Sequence, residues 1–107
     1  MKSFFATTAE IEKQRLAAGK LYHEFLRVPS MSAGLYVLAA GATDSQQPHQ
    51  QDEMYYIVRG SARFKAGAED REVSAGSVIF VAAGADHWFY EIREELAALV
   101  FFAPAET

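Results

Sequence analysis

The stretch GATDSQQPHQQDEMYYIVRG, residues 41–60, decides how this chain is interpreted. Every second position from 47 to 53 carries a polar group: Gln47, His49, Gln51 and Glu53. Alternate residues of an extended strand share one face, so these groups would point into the domain together. Inward polar groups cost free energy unless they are satisfied, and a divalent cation bound by imidazoles and a carboxylate satisfies them. With a further histidine, His87, in a later glycine-bounded hairpin, the sequence predicts a metal site.

The same stretch resembles the first motif of the cupin family, in which a glycine precedes a His-x-His pair and a glutamate and a closing glycine follow. The matching positions here are Gly41, His49, Glu53 and Gly60, and Gln47 stands where the first histidine of the pair is expected. The segment GSVIFVAAGADH, residues 76–87, resembles the second motif and ends on its histidine, with Ala82 in the usual place of proline. The two motifs cover about residues 33–103.

This resemblance implies an all-β fold, the cupin-type double-stranded β-helix or jelly-roll barrel. Gly60 and Gly76 are then expected in turns, and Gly84 in the bend that presents His87. Short strand-like runs bounded by Gly, Pro, Ser and Asp agree with an all-β domain. They lie at about 20–28, 33–40, 53–59, 61–66, 70–74, 77–82, 87–92 and 96–102. A short N-terminal helix, about residues 7–18, is predicted from the capping pair Thr7 and Glu10 and from the stop at Gly19.

Composition indicates one small domain that spans residues 1–107, because half of the residues are apolar and the chain is too short for a second core. The net charge of −4 without a basic cluster argues against nucleic acid or an anionic membrane as a partner. The absence of cysteine excludes disulfides and thiolate metal sites. The N-terminal apolar stretch is too short for a signal peptide, and no run is long enough to span a bilayer. We therefore expect a cytoplasmic protein.

The expected metal ligands are His49, Glu53 and His87, with Gln47 either completing the coordination or holding a metal-bound water. Two imidazoles and one carboxylate are the ligands of a facial triad, which leaves positions open for water, O2 or a chelating substrate. These ligands favour Fe(II), Mn(II), Ni(II) or Zn(II) and do not choose among them. Gln51 is expected to hydrogen-bond loop backbone instead.

The rest of the pocket is predicted to be aromatic and apolar. Its expected wall, chosen by strand parity or by position in apolar strands, consists of Tyr36, Tyr55, Phe64, Phe80, Phe89 and Phe101. Core packing is the alternative role of each of these residues. Trp88 and Tyr90 have the opposite parity to His87 and are predicted to face out of the barrel.

Two strands are apolar on both faces. Met54, Tyr56 and Val58 oppose the face that carries Glu53, and the segment LAALVFF, residues 96–102, is apolar throughout. An apolar outer wall marks an interaction surface, so we expect a homodimer. The alternative is that the N-terminal helix covers this wall with Ile11 and Leu16.

The chemistry is expected to come from a metal ion and its bound water or O2, because the sequence has no serine triad pattern, no P-loop and no dinucleotide glycine pattern. One candidate function is a dioxygenase-like oxidoreductase that acts on a small oxygenated organic molecule, with an isomerase or lyase as a variant. The other is a non-catalytic cupin that binds or senses a small ligand, with a structural metal or none.

Overall fold

The computed structural model describes residues 2–107. In chain order its elements are α1 (Thr8–Ala18), β1 (Tyr22–Val28), β2 (Met31–Leu38), β3 (Asp52–Ala66), β4 (Glu69–Ser74), β5 (Val78–Val81) and β6 (His87–Ala103). All strand pairs are antiparallel and follow the order β1-β2-β6-β3-β4, while β5 pairs with the first part of β3. The predicted all-β jelly-roll fold is confirmed.

Helix α1 begins and ends as the sequence predicts. The Thr7 hydroxyl accepts a hydrogen bond from the Glu10 N–H at 3.2 Å, which satisfies one of the free donors of the first turn. Gly19 ends the helix in the left-handed conformation, with φ of 66°, and its N–H bonds the carbonyls of Arg15 and Leu16.

Strands β3 and β6 are longer than predicted, because each joins two of the expected short strands into one bent strand. Both strands shift register where they cross, between Ile57 and Arg63 on β3. Gly60 lies at this bend with φ of 91°, and a Cβ there would lie 2.1 Å from the Glu95 carbonyl oxygen. The predicted turn at Gly60 is therefore wrong, since Gly60 allows a bulge inside β3.

The other two motif glycines lie in turns, as predicted. Gly76 has φ of 93° in the turn between β4 and β5, and Gly84 has φ of 81° in the turn before β6. The Gly84 N–H donates to the His49 carbonyl at 2.8 Å. This turn therefore fixes the loop that carries His49 next to the start of β6.

The barrel interior holds the larger core, which includes Tyr55, Phe64, Phe89, Val100 and Phe102. A second core lies outside the barrel, where Ile11 of α1 packs on Leu35, Val37 and Ala97. Ile11 therefore covers part of the outer wall, as the alternative to a dimer predicted. Leu16 does not cover it, because this side chain is 65% exposed.

The outer face beyond α1 stays open. Met54 pairs with Phe80 on one side and with Phe101 on the other, and Tyr56 pairs with Val78 and Leu99. Met54 and Tyr56 are each 43% exposed, and Val78 and Phe80 more than that. None of the helices among residues 2–107 is long and apolar enough to cross a membrane.

Candidate metal centre

Three segments bring the candidate ligands together at the barrel interior. Glu53 is the second residue of β3 and pairs with Val81 and Phe102, so strands flank it on both sides. His87 is the first residue of β6, and His49 lies in the loop before β3. Each residue contributes a ligand atom, and these atoms lie within 4.8 Å of one another. The sequence prediction that the three side chains converge agrees with this arrangement.

The buried polar atoms of this cluster fit a bound cation. Glu53 and His87 are 2% and 4% exposed. The Nε2 atom of His87 lies 3.0 Å from Oε1 of Glu53, but the geometry does not make a hydrogen bond. Both Glu53 oxygens and this nitrogen thus have no hydrogen-bond partner among residues 2–107. Because unpaired buried donors and acceptors are costly, a divalent cation between them would satisfy groups that are otherwise left without partners.

Both imidazoles are held at their Nδ1 atoms. Nδ1 of His87 lies 2.9 Å from the Ala85 carbonyl oxygen, and Nδ1 of His49 lies 3.1 Å from Oε2 of Glu106. Burial by itself would lower the pKa of His87, but the Glu53 carboxylate and the Ala85 carbonyl together raise it above its ordinary value. Burial raises the pKa of Glu106, and the proximity of His49 opposes this shift.

A cavity of about 170 Å³ adjoins His49. It is lined by Tyr22, Tyr36, Gln46, His49, Val100, Phe102 and Glu106. A larger groove of about 690 Å³ lies beside β4 and β5 and is lined by Phe64 and Phe80, but it contains none of the three candidate ligands. Of these two cavities, only the smaller one is lined by a candidate ligand, His49.

The predicted aromatic wall divides into two groups. Tyr55, Phe64 and Phe89 are buried around His87, with the Tyr55 and Phe64 rings 6.2 and 6.0 Å from the imidazole, and Tyr36 lines the cavity. Trp88 is exposed and Tyr90 donates a hydrogen bond to the surface residue Asp70, so both face outward as predicted.

The prediction that Phe80 and Phe101 belong to this wall is wrong, because both lie on the outer face. Phe80 is 60% exposed, since its β5 neighbours Ile79 and Val81 are the ones paired with inward residues of β3. Phe101 faces outward because the alternation of β6 inverts near Glu91, which has φ of 47°. Phe102 takes its place, with its ring 4.8 Å from that of His49.

A model of the cupin domain matches residues 34–103. The chain belongs to the cupin family. An uncharacterized protein of Streptomyces coelicolor is 49% identical to this cupin over 98 residues, which are 92% of this chain and 93% of that protein.

Solved structures support the same fold. KdgF from Halomonas sp. is similar with a TM-score of 0.71 at 19% identity, over 78% of this chain and 76% of that one. An RmlC-like cupin from Shewanella frigidimarina has a TM-score of 0.70 at 19% identity, over 78% and 75% of the two chains. At these identities the likeness concerns the fold alone.

The glutamines of this cupin take places that strand alternation did not predict. Gln47 is exposed, while Oε1 of its neighbour Gln46 lies 3.3 Å from Nε2 of His49. Strand alternation from residue 47 requires an extended strand there, but β3 begins at Asp52 and the preceding loop does not keep the strand period. The role of Gln47 as a fourth ligand stays a prediction. Gln51 is buried and donates to the Thr107 hydroxyl at 2.9 Å instead of to loop backbone.

Three polar residues near the site were not predicted from the sequence. Asp44 is buried and accepts hydrogen bonds from the Tyr36 hydroxyl, the Gln46 amide and the Phe89 N–H, at 2.7, 3.0 and 2.9 Å. Gln46 extends this network to the Tyr55 hydroxyl at 3.2 Å. Asp44 and Gln46 lie in the polar loop that precedes the first motif, and Glu106 follows β6 outside both motifs. The only feature of the sequence that could have indicated them is that they are polar residues outside the predicted strands.

Proposed function

We propose that this cupin binds one divalent cation through His49, Glu53 and His87. The proposal is carried by the buried Glu53 and His87 atoms, which have no hydrogen-bond partner in the described part of the chain and lie within 4.8 Å of a ligand atom of His49. Two imidazoles and a carboxylate suit Fe(II), Mn(II), Ni(II) or Zn(II), and a carboxamide such as Gln47 is a weaker, neutral donor.

We propose further that the protein is a dioxygenase-like oxidoreductase for a small oxygenated organic molecule. A bound metal of the facial-triad type would supply Lewis acidity and a site for O2. The chain itself supplies the substrate cavity of about 170 Å³ next to His49, where Val100 and Phe102 form apolar walls. Its size restricts the substrate to a small molecule.

The Tyr22 hydroxyl is the expected contact for a substrate oxygen. This hydroxyl is buried and has no hydrogen-bond partner among residues 2–107, and Tyr22 lines the cavity. Burial raises its pKa above the ordinary range, so the hydroxyl keeps its proton and donates at neutral pH. Gly34 leaves room for the ring, because a Cβ there would lie 2.2 Å from Cζ of Tyr22.

A second candidate function is a non-catalytic small-ligand-binding or sensory cupin. It is favoured by the segment after β6, whose Glu106 lines the cavity beside His49 and which is tied in place by hydrogen bonds to Arg27, Ser32 and Gln51. A wall anchored in this way suits retention of a metal or ligand better than rapid turnover.

Elemental analysis of protein made without an affinity tag tests the metal site. About one equivalent of transition metal per chain in the wild type, with loss in His87→Ala, supports it. His23→Ala serves as the matched control, because His23 lies in β1 outside the cluster. Equal metal content in the wild type and His87→Ala would contradict the assignment.

Oxygen uptake separates the two functions. Fe(II)-loaded protein with a small enol substrate should consume O2, and Tyr22→Phe should weaken substrate binding while leaving the metal content unchanged. Fe(II)-loaded protein that binds such ligands without consuming O2 would favour the non-catalytic function.

We also propose that two copies pack their open outer faces together. The face formed by Met54, Tyr56, Val78 and Phe80 is a continuous apolar surface of β3 and β5, and Phe101 of β6 extends it. These five positions are all apolar or aromatic, so a second copy of the same face is a better match than a charged partner. The cytoplasmic location expected from the sequence stays a prediction.

A further inference from the structure

We propose that Glu106 is a positioning residue of the metal site, whose carboxylate fixes the His49 imidazole so that Nε2 keeps the lone pair that binds the metal. The metal-binding part of this inference rests on the proposed function. The orientation of His49 does not, because it can be measured in the metal-free protein.

The single proton of a neutral His49 ring has two competing acceptors. Oε2 of Glu106 lies 3.1 Å from Nδ1, and Oε1 of Gln46 lies 3.3 Å from Nε2. Hydrogen bonds to a carboxylate are shorter and stronger than those to a neutral amide oxygen. The carboxylate therefore holds the proton on Nδ1, and Nε2 is left unprotonated.

His87 is held in the same way, which supports this assignment. Its Nδ1 faces the Ala85 carbonyl at 2.9 Å, and its Nε2 faces Glu53. Acceptors on the outer nitrogen of a ligating histidine fix its tautomer and raise its basicity. The turn before β6 supplies this acceptor for His87, and the segment after β6 supplies it for His49.

The backbone around Glu106 is anchored independently of His49. The Glu106 N–H donates to the buried Ser32 hydroxyl at 2.9 Å, and its carbonyl accepts from the Arg27 guanidinium at 2.7 Å. The next residue, Thr107, accepts from the Gln51 amide at 2.9 Å. The carboxylate is thus placed by contacts that a variant of its side chain leaves intact.

Two-bond 1H–15N correlation spectra of metal-free protein at pH 8 test the orientation, since most histidines are neutral there. In the wild type His49 should carry its proton on Nδ1. Glu106→Leu should move it to Nε2, where Gln46 remains as acceptor, and Glu106→Gln, which keeps an acceptor oxygen, should shift it only in part. Thr107→Val is the matched control, because it loosens the same segment and should leave the tautomer unchanged. An Nε2 proton in the wild type, or an unchanged tautomer in Glu106→Leu, would overturn the proposal.

Titration with Zn(II) and Co(II) tests the consequence for the metal. Removing an outer partner of a ligating histidine costs about 10–100-fold in metal affinity, which we expect for Glu106→Leu, while Thr107→Val should change it by no more than about twofold. Equal losses in the two variants would overturn the proposal, because Glu106 would then act only by holding the segment in place. If Glu106→Leu does not fold, Glu106→Gln replaces it, with a smaller loss and an altered Co(II) visible spectrum expected. Wild-type protein that binds neither metal would contradict the proposed function, and the tautomer would still decide the role of Glu106.

Discussion

A buried carboxylate such as Glu53 is unfavourable unless charge or hydrogen bonds compensate it. Here it lies 3.0 Å from the imidazole Nε2 of His87, itself buried, and neither group completes a hydrogen bond with the other. The pair is therefore explained better by a cation that both bind than by its contribution to the stability of the metal-free fold.

Substituting single ligands should separate direct from outer contacts. Alanine at His49, Glu53 or His87 should reduce metal affinity by more than the roughly 10–100-fold typical of an outer partner. Gln47→Ala should have a mild effect, because its side chain is exposed. Isothermal titration with Zn(II) measures these affinities. A steep loss in Gln47→Ala would show that the loop moves to bring Gln47 onto the metal.

Metal binding should weaken in acid, because protons compete with the metal for imidazole nitrogen. The pKa of His87 is raised, so competition should begin at a higher pH than the value of about 6.5 for an unperturbed histidine. In the metal-free protein the pH dependence of stability has the opposite sign. Because the pKa of His87 is raised in the folded protein, its protonation stabilises the folded state below the unfolded pKa. This stabilisation is lost as the pH rises through the folded pKa. Without metal, the melting temperature of the wild type should exceed that of His87→Gln most at low pH. With metal bound, this difference should instead grow as the pH rises. The same pH trend in both states would contradict this assignment.

Among the structural elements, β3 and β6 decide the shape of the barrel. In β3 the inward positions are 53, 55 and 57 before Gly60, and 62 and 64 after it. In β6 they change from 87 and 89 to 92, 96 and 98 across Glu91. These bulges let two strands belong to both halves of the barrel and keep apolar side chains inside throughout.

Gly60→Ala tests the bend. The substitution places a side chain at positive φ and against the Glu95 carbonyl, whereas Gly76→Ala meets the same backbone strain in open space. We expect Gly76→Ala to lower the free energy of unfolding by about 1–2 kcal/mol. Gly60→Ala should lower it by about 1–3 kcal/mol more, because the added Cβ would overpack the bend. Urea denaturation measures both, and equal losses would show that close approach at Gly60 is unimportant.

At the level of the whole molecule, α1 divides the outer wall into a covered and an open half. The covered half is the core under Ile11, and α1 is further held by Glu12, whose carboxylate pairs with the Arg59 guanidinium at 2.5 and 2.6 Å. The open half carries Met54 and Tyr56, which no part of residues 2–107 covers fully.

Met54→Asp or Tyr56→Asp should disrupt the proposed dimer. In a two-fold contact each new charge appears twice in the interface, and burial of each large apolar side chain contributes roughly 1.5–3 kcal/mol. Light scattering should show the mass falling toward the 11.8 kDa of one chain. Leu16→Asp is the control, since Leu16 is exposed on α1 away from this face and should leave the mass unchanged. Wild-type protein that is monomeric at micromolar concentration would contradict the dimer.

Local order was decided by the sequence, because it depends on residues close together in the chain. The Thr7 cap, the Gly19 stop and the alternation from Glu53 to Ile57 each need only a few neighbouring residues. Convergence of His49, Glu53 and His87 was also predicted, because two motifs specify the fold that brings them together.

The tertiary structure alone decided what depends on bulges, loop paths and distant contacts. One bulge near Glu91 exchanged Phe101 for Phe102 inside the barrel, since a single extra residue inverts every later side chain of a strand. The irregular path before Asp52 brought Gln46 rather than Gln47 to His49. The contact of Glu106 with His49 joins the segment after β6 to the first motif, 57 residues earlier in the chain, and no periodicity along the chain encodes such a pairing.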